Sequence, residues 1–246
     1  MRSSLLFPIS FLLFSGSLLA QDHLFLEEQE LTLADGKVMA WVFPAAASQE
    51  ETLDDLKEYL KGRSDVKLKK DGDDMLIAEK VSLPAITVKR GDLIGLCRIT
   101  EQYYSMAVIV KLGYDVSLST SEWPEEMENL RHYTKAYMAF HYEQVYARRI
   151  KDLEKEVKDS EKVLGQTEGK VGSLSNKIAN NNKKIAKETD EGKIGELEAE
   201  NNTLEGDKKR VADTLPDMVA QLDALKTKIE ENKTELNTYL SKIATF

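Results

Sequence analysis

"IAKETDEGKIGELEAENN", residues 185–202, decides the fold, because the heptad pattern on its two sides does not keep one phase. Before it, apolar residues alternate by three and four at Ile150, Leu153, Val157, Leu164, Val171, Leu174, Ile178 and Ile185, with Ser160, Thr167 and Asn181 as polar members of the stripe. After it a second stripe runs through Ile194, Leu197, Leu204, Val211, Leu215, Met218, Leu222, Leu225, Ile229, Leu236 and Ile243, with Asn201, Lys208 and Asn232. Such stripes are the seams of coiled coils. From Ile185 to Ile194 the step is nine residues rather than seven. A continuous coiled coil absorbs an insertion of three or four residues, not of two.

Reversal of the chain around Glu191, with residue i facing residue 382 minus i, brings the stripes into register. Ile185 then meets Leu197, Ile178 meets Leu204, Val171 meets Val211, Leu164 meets Met218, Val157 meets Leu225 and Leu153 meets Ile229, while Asn181 meets Asn201. A slip by one heptad would also align apolar with apolar. The facing amides select this register, as a polar seam residue does by disfavouring shifted pairings. Thr189 and Asp190 are the expected caps of the turn, and Gly192 its residue at positive φ. The return arm from Lys193 to Phe246, about 53 residues or roughly 80 Å at 1.5 Å per residue, ends opposite Tyr137. The competing arrangement is one uninterrupted helix of about 120 residues that dimerises in parallel. Closure of the return arm onto the helix start favours an antiparallel hairpin over 121–246, with arms at about 122–188 and 193–245.

Two features soften this rod. Pro216 removes a helical hydrogen bond, so it either kinks the return arm or opens a new helix after a short break at Ala212 to Thr214, with Thr214 and Asp217 at the new start. Gly165, Gly169 and Gly172 weaken the first arm where it passes opposite, at about 1 kcal/mol each relative to Ala. Pro216, Gly169 and Gly172 are therefore the candidate kink or hinge.

Residues 21–120 read differently. Asp35-Gly36 is a hairpin signal feeding "KVMAWVF", apolar on both faces as in a central strand. Ser48 and Glu51 form a capping box for a helix bearing Leu53, Leu56 and Leu60, which Gly62 ends. "DVKL" and "MLIAEKV" flank a second hairpin turn at Asp71-Gly72, and "DLIGLCRI" and "SMAVIVKLGYDVSLS" supply further strands. The result is a small antiparallel sheet with one helix across a face, an α+β domain. Its element order resembles small helix-grip or TATA-binding-protein-like sheets, a likeness of topology alone. At "STSEWPEEMENL" the period changes to helical, with Ser121 as cap and Pro124 in the first turn. The helix opens with an aromatic run in which Tyr133, Tyr137 and Phe140 are either packing against the sheet or an interaction surface.

"MRSSLLFPISFLLFSGSLLA" has a basic Arg2, an apolar core and small residues before Gln21, the form of a secretory signal peptide over 1–20. Export, periplasmic or secreted, is the expectation. No later stretch reaches the roughly 18 to 20 apolar residues of a membrane span. The single Cys97 makes no internal disulfide and reads as a buried strand residue. A net charge of −9 argues against nucleic acid as a partner.

Motifs that suggest chemistry do not hold. "GQTEGKV" has three residues between its glycines where a phosphate loop needs four, and Val171 stands where Ser or Thr should be. His132 and His141 are nine residues apart on one helix, about 180° round from each other, and His23 has no visible partner. Arg90-Gly91-Asp92 reads as an ordinary turn before a strand. Asn201 and Asn232 each begin an N-x-Thr sequence, yet both fall on the seam, where a glycan would not fit. No catalytic, cofactor or metal residues are assigned.

The expected function is therefore that of an exported, non-enzymatic structural or protein-binding component of a bacterial cell envelope, with the hairpin presenting an interaction surface. The expected partner is an envelope protein or a second copy of the chain. A periplasmic holdase-type chaperone and an envelope-complex adaptor are the alternatives, and an enzyme with its site in the α+β domain stands behind them.

Overall fold

The computed structural model describes residues 24–61, 63, 66–113 and 116–246. The leader over 1–20, His23 and the helix-ending Gly62 lie outside the described residues. Two compact units emerge, one of residues up to Gln144 together with Tyr239–Phe246, the other Val145–Thr238. The boundary between these units falls within a helix, between Gln144 and Val145.

The first unit is built on strands β1 (Glu27–Leu33), β2 (Gly36–Ala45), β3 (Lys69–Asp71), β4 (Met75–Leu83), β5 (Thr87–Ile99), β6 (Tyr104–Gly113) and β7 (Val116–Ser117). They form one antiparallel sheet in the order β1-β2-β6-β5-β4-β3, with β7 on β6. Two turns close where glycine takes positive φ, Gly36 at 132° after Ala34-Asp35 and Gly72 at 73° between β3 and β4. The third strand is shorter and later than "DVKL": Val66 to Leu68 are not in a strand, and pairing begins at Lys69.

Helix α1 (Gln49–Lys61) starts on the expected capping box, with the Ser48 N–H donating to Glu51 Oε2 at 3.3 Å and the Glu51 N–H to Ser48 Oγ at 3.4 Å. Its Leu53, Leu56 and Leu60 are buried. A Cβ added to Gly95 of β5 would stand 2.2 Å from Leu56 Cδ2, so the helix seats this close because that strand position has no side chain. The start of α2 (Pro124–Ile185) covers the same face: the Trp41 indole N–H of β2 donates to the Met127 carbonyl at 2.9 Å, and the Phe43 ring meets Tyr137 edge-on at 5.6 Å. Pro124 is the first helical residue. Ser121 does not cap it, standing in the preceding turn with its hydroxyl against that of Ser119. On the opposite face Val38, Ala40, Val42, Ile94, Leu96, Ala107 and Ile109 make a second apolar cluster ringed by Phe25, Leu31, Leu33, Met75 and Ile77. The central strands β2, β5 and β6 are thus apolar on both sides, as "KVMAWVF" requires.

The second unit is an antiparallel helical hairpin. Its outgoing arm is α2 from Val145 on; its return arm is α3 (Glu191–Ala212) followed by α4 (Leu215–Thr245) as far as Thr238. Reversal takes place over residues 186–190, and Asp190 caps α3 by accepting from the N–H groups of Gly192 and Lys193. Gly192 lies in the first turn of α3 and not at positive φ, because the Asp190 cap already ends the reversal. Each stripe residue of the two arms, polar members included, is buried or half-buried in the described structure, and most positions between them are exposed. The return arm breaks at Asp213 and Thr214, so Pro216 sits second in α4, where its missing N–H needs no partner. Of the two readings of Pro216, the new helix start is the observed one. α2 runs unbroken through Gly165, Gly169 and Gly172, all exposed.

Candidate functional site

The most deeply buried polar groups of the first unit lie where α1 meets the opening turns of α2. α1 carries Thr52, Asp55 and Tyr59 beside its leucines, and α2 carries Tyr133, Thr134, Tyr137 and His141 on one side, since positions three and four apart share a face. Asp55 Oδ2 stands 2.7 Å from His141 Nδ1, with the two side chains 7% and 0% exposed. The Ala46 N–H, in the connection from β2 to α1, donates to His141 Nε2 at 3.1 Å. An accepting Nε2 carries no hydrogen, so the neutral imidazole holds its proton on Nδ1 and gives it to Asp55. The Tyr137 hydroxyl donates to the Thr52 carbonyl at 2.6 Å, and the Tyr142 hydroxyl to the Pro44 carbonyl at 3.1 Å.

A histidine oriented by an aspartate is two-thirds of a nucleophile-activating triad. Here the nitrogen that would meet a nucleophile is occupied by a backbone amide. Cys97, fully buried in β5, offers no substitute: loss of solvent, with a smaller push from Asp74 and an opposing hydrogen bond to Thr52, raises its thiol to about 12. The cluster fastens α2 to α1 and to the β2–α1 connection, and presents neither base nor thiolate to solvent.

The aromatic run is largely interior. Tyr137 is fully buried, and Tyr133 and Phe140 are half-buried with their rings 5.4 and 5.5 Å from Tyr59, over whose ring the Arg63 guanidinium stands at 4.1 Å. Of the two readings of this run, Tyr137 follows packing, and Tyr133 and Phe140 lie against Tyr59 of α1 with part of each side chain exposed. Loss of solvent, and Tyr59 nearby, hold the Tyr133 hydroxyl well above the ordinary phenol range against an opposing Arg63. That hydroxyl is buried with no hydrogen-bond partner.

Other sequence features are placed as follows. His132 is on the surface, its Nε2 3.2 Å from Glu128 Oε1. Arg90-Gly91-Asp92 lies inside β5 rather than in a turn before it, with Asp92 accepting from the Lys80 N–H at 2.7 Å. "GQTEGKV" is a stretch of α2. Asn232 is half-buried and donates to the Lys228 carbonyl at 2.8 Å. Among the described residues no group of three His, Cys, Asp or Glu side chains is placed to hold a metal, and no helix is long and apolar enough to cross a membrane.

In the hairpin, Asn201 donates to Asn182 Oδ1 at 2.7 Å, and no hydrogen bond joins it to Asn181. Asn181 is itself buried, and its Nδ2 and the Asn201 Oδ1 have no partner. Farther along, Lys226 pairs with Glu161 across the arms at 3.1 Å. Near the turn a shallow groove is lined by Lys184, Glu188, Lys193, Glu196, Leu197 and Glu200.

Sequence reasoning missed the Asp55–His141 pair, since His141 was weighed only against His132 and Asp55 not at all. The available signal was spacing: Thr52, Asp55 and Tyr59 fall on the stripe of Leu56 and Leu60, and His141 falls one turn from Tyr137. Compared with protein-family models, curated proteins and solved structures, the chain has no significant match to any.

Proposed function

We propose that this chain is an exported, non-enzymatic structural or protein-binding component of a bacterial cell envelope, which works by presenting its helical hairpin to a protein partner. The observation that carries the reading is the division of labour along the hairpin. Its apolar stripes are spent on its own seam, while its outer positions are exposed and charged. Such an element folds without its partner and keeps its outer faces free to be read. The polar groups buried in the sheet unit support the same reading, because they are committed to fastening helices. The leader-like residues 1–20 support export.

The test combines fractionation with site-specific photocrosslinking in a bacterial host. The expected protein begins near Gln21, is found outside the cytoplasm, and crosslinks to another polypeptide from the exposed Lys158 and Lys209 but not from Arg90 or Glu101 on the sheet unit. A chain that keeps its first twenty residues in the cytoplasm, or that crosslinks only from the sheet unit, refutes the proposal.

A further inference from the structure

Charge is segregated between the two arms at the closed end of the hairpin. Residues 175–187 of the outgoing arm carry Lys177, Lys183, Lys184 and Lys187 and no acid; residues 195–207 of the return arm carry Glu196, Glu198, Glu200, Glu205 and Asp207 and no base. Within one chain these charges face each other across the seam, yet they do not pair. None of the four lysines forms an ion pair in the described structure, nor do Glu196, Glu198 or Glu200, and Asp207 turns to Arg210 on its own helix at 3.3 Å. On the other side of the same seam an inter-arm pair does close, Glu161 with Lys226.

Basic and acidic residues of the two arms share one side. Lys170, Lys177 and Lys184 each immediately precede a seam residue, and so do Glu200 and Asp207; in antiparallel arms such positions lie along one edge of the seam. Lys184 and Glu200 accordingly border one groove, floored by Leu197. Lys193, beside Lys184 in that groove, is the one base on the return arm near the turn.

We propose that the occupant of this edge is a second copy of the chain, related by a two-fold axis along the rod, with 175–187 of each copy against 195–207 of the other. Four helices then stand in a square with like-charged arms on the diagonals. Every basic arm touches two acidic ones, and the two turns lie at the same end. A contact repeated by a two-fold axis must be self-complementary, and a hairpin with one basic and one acidic arm is. This rests on the reading of the hairpin as a protein-binding element and names its partner. The overlap is short, so association is weak and salt-sensitive.

Sedimentation velocity on the full chain tests it, at about 50 and about 500 mM salt. The chain is expected to dimerise, with roughly tenfold weaker association at the higher salt. Lys177→Glu with Lys184→Glu, and Glu196→Lys with Glu200→Lys, are each expected to weaken association by roughly tenfold or more. The fourfold exchange that carries both pairs restores it, and the two double variants associate with each other when mixed. Circular dichroism and the in-chain distance between spin labels at Lys151 and Lys228 show that the hairpin itself stays closed in every variant compared. Labels at Thr189 of the two copies are expected within about 30 Å, given helix spacings of 8–10 Å.

A monomer under all conditions, a dimer indifferent to these reversals, or Thr189 labels beyond that range overturns the proposal. If the copies fail to associate while Lys158 and Lys209 still crosslink to a different protein, the dimer falls and the functional reading stands. If the chain stays in the cytoplasm yet dimerises as described, the reverse holds.

Discussion

Substituting His141→Ala removes the one side chain that joins α2 to both α1 and the β2–α1 connection. Three losses follow in the first unit. The buried Asp55 carboxylate is left without its imidazole. The Ala46 N–H loses the acceptor at 3.1 Å. A void opens beside Phe43, Tyr137 and Tyr142, whose rings lie 5.8 to 6.4 Å from the imidazole. Removing the hydrogen-bond donor of a buried carboxylate costs at least the about 1–3 kcal/mol of an unsatisfied buried group, and more because this group is charged; the weakened Ala46 N–H is counted within that cost. Urea unfolding followed by tryptophan fluorescence reads this unit, because both tryptophans, Trp41 and Trp123, lie in it. With a slope of about 1–3 kcal/mol per molar urea, the midpoint falls by 1 M or more. Asp55→Ala is expected to cost a similar amount. The double variant costs less than the sum of the two by about 1–3 kcal/mol, since removing both partners leaves no stranded charge. A loss under 1 kcal/mol for His141→Ala, or additivity of the pair within about 0.5 kcal/mol, would refute the account of this cluster as a buried clamp.

Alkaline pH should destabilise the same unit. Burial raises Tyr137, with Asp55, Cys97 and Tyr133 adding to it, and burial likewise raises Tyr133 and Cys97. Folded groups with raised pKa contribute fully below their unfolded values, 9.0 for the thiol and 10.0 for the phenols, and lose that contribution as pH climbs from there towards the folded values. Stability is therefore expected to hold up to about pH 9 and decline above it. Tyrosinate absorbance from Tyr133 and Tyr137 should appear together with unfolding; titration of all nine tyrosines before the fluorescence change would contradict this. Gly95→Ala forces Leu56 off its seat and should cost about 1–3 kcal/mol in the same urea assay, whereas Gly165→Ala, with open space around it, should be neutral or stabilising. In the hairpin, Asn181→Leu replaces a buried amide that lacks a partner for its Nδ2; helical stability by circular dichroism should rise by about 1 kcal/mol or more, while inter-arm label distances broaden as alternative registers become accessible. A loss of stability on that substitution would show that the amide is satisfied.

Much of this architecture was legible because apolar spacing reports burial directly. The step of nine from Ile185 to Ile194 has no solution in one helix, and the reversal it demands is where the chain turns. What spacing could not supply was the identity of polar partners. Asn201 bonds Asn182 rather than Asn181, a partner that apolar spacing does not report. Gly192 was assigned the turn's special conformation when Asp190, a cap two residues earlier, had made it unnecessary. Asp55 and His141 look like solvent residues to any pattern that counts only apolar positions. Their burial becomes intelligible when they are placed in pairs, since a carboxylate and an imidazole enter a core together at a cost neither meets alone. The same logic separates the two halves of α2. Up to Gln144 its inward positions carry rings, and Tyr137, His141 and Tyr142 bond fixed partners on α1 or β2, so that end is specified residue by residue. From Val145 on, the positions are mostly aliphatic and interchangeable by a heptad, so register there depends on the few polar residues in the seam and the charges beside it. A helix whose two ends are specified by such different means lets the outer charges of the hairpin change while the clamp on the sheet remains as it is.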